Sequence, residues 1–152
     1  MVKGIRILTY VALMGLAFMG FMKVNGMPLS YLWDSVSVAF VVAGWLYIFV
    51  NFSLTEVVQA FAQGFGFLPS AQPLLLSHQI LGQLGKNGLL AGGISMLLGV
   101  FQSLANLEEV SALGAALALS LLPLIWALGI YTVFLQPLQS AIMRQHLVTE
   151  DF

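Results

Sequence analysis

Side chains able to do acid–base, metal or nucleophilic chemistry are few in this chain: two histidines, six carboxylates, five basic groups and no cysteine. The isolated His78 and His146 do not form a metal cluster at any usual spacing, and without cysteine there are neither disulfides nor thiolate metal sites. No nucleophile, base and orienting group fall together, and no glycine-rich phosphate loop is present. The expectation is a protein that is not an enzyme and carries no cofactor and no metal. Asp34, Glu108 and Glu109 sit at one edge of the apolar stretches and Glu56, Glu150 and Asp151 at the other, so no carboxylate lies inside one. Proton relays and ion pathways ordinarily show ionisable side chains inside a span. If this chain handles ions, another chain must bring the carboxylate.

The elements that would hold these residues are set by composition. The 152 residues are 60% hydrophobic and 7% charged, against roughly 45–50% and about 25% in a soluble domain, which excludes a water-soluble globule. The formal charge is −1, and a chain without a concentrated basic surface does not bind nucleic acid. A span takes about 20 apolar residues to cross about 30 Å of hydrocarbon. Four windows suit, at about 5–24, 36–52, 87–104 and 113–138, so the expectation is an all-α membrane protein of one four-span domain covering 1–152. The first window could be read as a signal peptide, but it ends in Phe21, Met22 and Lys23, which is no small-x-small cleavage site. It is kept as a span. Lys3, Arg6, Lys86 and Arg144 then fall on one side and only Lys23 on the other, which predicts both termini in the cytoplasm.

The connection between the second and third windows begins with a helix signal. Ser53-Leu-Thr-Glu56 is a capping box with Phe52 and Val57 placed as its staple. The second span therefore breaks near Phe52 and a short cytoplasmic interfacial helix runs from Leu54 to about Gln63, stopped by Gly64, Gly66, Pro69 and Pro73. From Leu74 the pattern is helical again and continues into the third span, a helix of about 30 residues and about 45 Å. Its first part projects from the bilayer. His78, on that part, reads as a solvated or capping residue. Trp33 stands at a boundary, whereas Trp45, Tyr47, Trp126 and Tyr131 read as lipid-facing or packing residues.

In the third span Gly88, Gly92, Ser95, Gly99, Gln102 and Asn106 are spaced alternately four and three apart, so small or polar residues share one helical face. The fourth repeats the design with Ala116, Ser120, Pro123 and Ala127. In lipid, small residues let backbones come close enough for dispersion to hold them. The two faces either pack the third and fourth spans together within one subunit or line a space filled by another helix; the same periodicity serves both. Pro123 predicts a kink in the fourth span. Glu108 and Glu109 either draw cations to an outer mouth or are simply solvated.

Two stretches look familiar. Asn106-Leu-Glu-Glu-Val-Ser-Ala-Leu-Gly114, with an exit at Phe134-Leu-Gln-Pro137, resembles the outer loop and fourth helix of the MotA/TolQ/ExbB proton-channel family, most of all its MotA branch. Val41-Val-Ala-Gly44 through Asn51-Phe-Ser-Leu-Thr-Glu-Val-Val-Gln-Ala-Phe61 is similar to the family's second span and its continuation, with Ser53 where proline is usual. The resemblance implies a cyclic homo-pentamer in a bacterial inner membrane. Its third and fourth helices would surround two helices of a MotB/ExbD/TolR-like single-span partner. That partner carries the ion-binding aspartate, and proton flow turns one ring against the other in a 5:2 motor. The residues facing the partner would be Gly88, Gly92, Ser95, Met96, Gly99, Gln102, Ala116, Ser120, Pro123 and Ala127. The large cytoplasmic domain of MotA is missing, with only 63–85 in its place, which argues against torque on a flagellar rotor. Met96 and Pro123 stand at the positions where threonines occur in the family. Sodium needs such oxygen ligands, so their loss leans toward protons or toward a motor without its ion site. A membrane scaffold that moves no ions is the rival expectation.

Overall fold

The computed structural model describes residues 2–24, 26, 35–67, 72–105 and 110–150, and among these every element is helical. The first helix, α1, spans Val2–Val24. Next, α2 (Ser35–Leu46) tightens into a 3-10 turn at Tyr47–Val50, and α3 follows at Leu54–Phe65. The longest helix, α4, runs without a break over Leu74–Ala105. The last part of the chain is α5 (Val110–Ser120), α6 (Leu122–Ile130), a π turn at Tyr131–Leu135 and α7 (Gln136–Glu150). Three stretches are long and apolar enough to cross a membrane, and four if the bent α2–α3 pair counts as one. This marks a membrane protein.

The bend between α2 and α3 measures 110° and has a local cause. Ser53 is extended and accepts from the Glu56 N–H, while the Glu56 carboxylate accepts from the Ser53 N–H at 2.7 Å and from its hydroxyl at 2.8 Å. The capping box is thus formed as expected, and it starts a new helix where the old one has tightened and stopped. Those hydrogen bonds from Ser53 hold the exposed Glu56 carboxyl below its ordinary range. At the far end, α3 reaches Phe65 and stops at Gly66, whose φ of 73° is left-handed. Gly64 does not act as the expected stop. It lies inside the helix, and a Cβ there would come within 2.9 Å of the Leu138 side chain.

At 1.5 Å per residue the 32 residues of α4 reach about 48 Å, well past a hydrocarbon core of about 30 Å. Its early part carries the polar residues Ser77, His78, Gln79, Gln83 and Lys86. Here lies the apolar core: Ile48, Val57, Ala60, Ile80, Leu81, Leu84, Leu135, Leu138 and Ile142, joined by Ile7 of α1. Ile80, Leu81, Leu138 and Ile142 are wholly buried. A polar chain sits beside it, Gln63 Nε2 donating to the Gln72 carbonyl at 2.8 Å and Gln72 Nε2 to Ser77 Oγ at 2.7 Å. Burial of bulky apolar groups drives assembly where water is the alternative. Away from this base the large side chains face outward instead, among them Leu90, Ile94, Leu97 and Phe101 of α4.

The last segment breaks beside Pro123, where a kink is expected, and departs from expectation at its far end. The helix breaks at Leu121, so that Pro123 falls in the first turn of α6, where its missing N–H costs nothing. It then runs on past 138 to Glu150. Pro137 would end an α-helix, but the π turn before it widens the backbone, with the Gln136 N–H reaching the Tyr131 carbonyl five residues back.

Candidate functional site: the small-residue seam of α4

From Gly88 to Gly99 the small face of α4 packs against the chain itself. A Cβ on Gly92 would stand 2.8 Å from the Ala127 Cβ and 2.8 Å from the Pro123 carbonyl oxygen of α6. One on Gly99 would stand 2.7 Å from the Ser120 Cβ of α5. On the flank toward α2, a Gly88 Cβ would meet Trp45 Nε1 at 2.6 Å, and a Gly44 Cβ would meet the Ala91 Cβ at 2.5 Å. Real side-chain carbons do not approach so closely, so any larger residue at these positions forces a neighbour to shift. Backbone contact of this kind is what holds helices together where lipid gives no hydrophobic drive.

Of the ten residues expected to face a partner, Gly88, Gly92, Ser95, Ser120, Pro123 and Ala127 are buried within the chain. Gly99 is half-buried against Ser120. These positions are in use between helices of one chain, the first of the two uses that periodicity allowed. Met96 and Ala116 are half-buried, and Gln102 is exposed. Glu108 and Glu109, like Trp33, Asp34 and Asn106, lie outside the described residues.

The seam extends beyond the residues that sequence reasoning singled out. Gly85 continues the same face by one more step of three, and a Cβ there would overlap the Tyr131 ring at 2.5 Å. Gly44, Trp45 and Asn87 form the α2 side, where the Trp45 indole N–H and the Asn87 amide nitrogen are buried without a hydrogen-bond acceptor. The signal for Gly85 was its spacing from Gly88 and Gly92; for the α2 side no periodic signal exists, because Gly44 stands alone.

The chemistry open to the seam is limited. Ser120 Oγ donates to the Leu117 carbonyl at 2.7 Å and Ser103 Oγ to the Gly99 carbonyl at 2.8 Å, so these hydroxyl protons are committed to their own helices. Among the described residues, no three His, Asp or Glu side chains come together to hold a metal ion. Asp, Glu, Lys and Arg are absent from α4 beyond Lys86 and from α5, α6 and the π turn. The seam can position helices and offer a neutral wall, and it holds no group that takes up a proton near neutral pH. Set against models of protein families, curated proteins and solved structures, the chain matches none of them.

Proposed function

We propose that this chain is the ring subunit of a minimal membrane motor or energiser of the MotA/TolQ/ExbB kind. In this reading it forms a homo-pentamer in a bacterial inner membrane, with both termini in the cytoplasm. Two helices of a single-span partner occupy the ring and carry the aspartate that binds the proton. The observation that carries the reading is the bent α2–α3 element: the 110° turn and its Ser53–Glu56 capping box fall within 51–61, the stretch whose sequence resembles the family. The lack of any carboxylate in α4, α5, α6 and the π turn agrees with an acid supplied by a partner. With Gly85, Gly88, Gly92 and Gly99 consumed inside the chain, the partner meets the margin of the seam, at Met96, Gln102 and Ala116.

The test is to purify the chain with and without the single-span protein encoded beside it and to count subunits by native mass spectrometry. Five copies with two partner chains, and proton flux in proteoliposomes that is lost when the partner aspartate becomes asparagine, are the expected results. A monomer or dimer that persists with the partner present overturns the reading.

One observation favours a second reading, a structural or assembly scaffold that moves no ions. The contacts of Gly92 with Ala127 and of Gly99 with Ser120 use up the small-residue faces within the chain, leaving less of them for a guest helix. In that case the complex assembles and proteoliposomes carrying both chains show no flux.

A further inference from the structure

The twelve residues of α3 carry two apolar stripes, and the core takes up only one of them. Val57, Ala60 and Gly64 are buried, the first two within the core and the third against Leu138. Leu54, Val58, Phe61 and Phe65, spaced four, three and four apart, form a second stripe about a quarter-turn round the helix. Leu54 is 66% exposed and Val58 58%, while both phenylalanines are half-buried. Phe67, exposed past the helix end, stacks on Phe65 at 5.6 Å between ring centroids and prolongs the stripe. A quarter-turn from the core in the other sense lie Glu56, Gln59 and Gln63.

We propose that the second stripe of α3 is a lipid-binding face, sunk into the surface of the bilayer where α2 leaves it. The depth follows from α2. Ser35–Val50 holds no charged residue and is about 26 Å long, between Asp34 and Asn51, which is close to the hydrocarbon thickness of about 30 Å. Ser53 therefore starts α3 at the boundary. A bend of 110° from a span near the bilayer normal leaves α3 within roughly 20° of the membrane plane, so its two ends differ in depth by only about 6 Å. Of the two sides flanking the core, the one with Leu54, Val58, Phe61 and Phe65 suits hydrocarbon and the one with Glu56, Gln59 and Gln63 suits water. No Lys or Arg occurs in α3, so the attachment is apolar and owes nothing to headgroup charge. This placement rests on membrane embedding and holds whether or not the ring forms.

The chain has no cysteine, so a nitroxide on a single introduced cysteine reports one position. The test labels Leu54→Cys, Val58→Cys, Gln59→Cys and, as a reference on the exposed side of α4, Leu97→Cys, each in the full chain in phosphatidylcholine bilayers. Accessibility to oxygen, which concentrates in lipid, is compared with accessibility to a water-soluble nickel chelate. Positions 54 and 58 are expected to favour oxygen over nickel by roughly threefold or more relative to 59, at about 5–10 Å below the headgroups. Replacing one-third of the lipid by phosphatidylglycerol, or raising the salt, should leave the depth unchanged. Positions 54 and 58 as open to nickel as 59, with 97 still in lipid, overturn the proposal; nickel access at 97 as well removes membrane embedding itself. Closure of 54 and 58 to both probes, as beneath a second copy of this chain, also overturns it. So does a depth of 54, 58 and 59 equal to that of 97, which makes α3 the second half of a broken span, or a depth that requires the anionic lipid.

Discussion

A methyl group on Gly92 would occupy space that Ala127 already holds, at 2.8 Å between the two β carbons, with the Pro123 carbonyl oxygen equally near. Backbone cannot yield as a flexible side chain can. Gly92→Ala is therefore expected to destabilise the chain by about 1–3 kcal/mol, the usual cost of overpacking. Gly93→Ala, one residue on and facing open space, is expected to be neutral or to stabilise by up to about 1 kcal/mol through helix propensity. Reversible unfolding of both variants in mixed detergent micelles checks the contrast.

Ala127→Trp and Ser95→Leu strike the same closed seam, since both residues are buried within the chain. Both are expected to loosen the contact of α4 with α6 before any partner is involved. The measurement is proteolysis or hydrogen exchange of the isolated chain. A normal isolated chain that fails only to bind its partner would show instead that these residues face outward in the assembly.

Gly85 and Tyr131 form a pair that a double-mutant cycle can isolate, because a Cβ at Gly85 overlaps the ring at 2.5 Å and 2.6 Å. Gly85→Ala alone is expected to cost about 1–3 kcal/mol. Combined with Tyr131→Ala, which removes the obstacle, most of that cost disappears, giving a coupling of at least about 1 kcal/mol.

The cap of α3 is expected to depend on pH. Hydrogen bonds from the Ser53 backbone and hydroxyl lower the Glu56 pKa beneath its ordinary 4.5. Its support for the helix is therefore complete above that ordinary value and is lost as pH falls through the lower folded-state value. Hydrogen exchange of the first-turn amides of α3, corrected for intrinsic rates, should accelerate on acidification, and Glu56→Gln should flatten the profile. Ser53→Ala should weaken the cap at every pH, by about 1 kcal/mol.

Local signals in the sequence read well. The capping box at Ser53, the unbroken helix from Leu74 and the break next to Pro123 each depend on a few neighbouring residues. What failed needed knowledge of the other side of a contact. Gly64 reads as a helix stop until Leu138 is seen against it, and Pro137 reads as an exit until the π turn ahead of it widens the backbone. Likewise the spacing of Gly88, Gly92 and Gly99 announces a close contact without saying with whom. The answers, Trp45, Ala127 and Ser120, lie on three different helices that no period within α4 encodes.

The position of the core at one end has a consequence for biosynthesis. Its members come from Ile7, Ile48, Val57 and Ile80 through to Leu138 and Ile142, so the base cannot close until Leu138 and Ile142 have been made. The hydrophobic hairpins can enter the bilayer one by one as they leave the ribosome, but Ile80 and Leu81, met first by Ile48, Val57 and Ala60, stay only partly covered until α7 arrives. A nascent chain stalled before Leu138 is thus inserted yet unlatched, a ready target for membrane quality control.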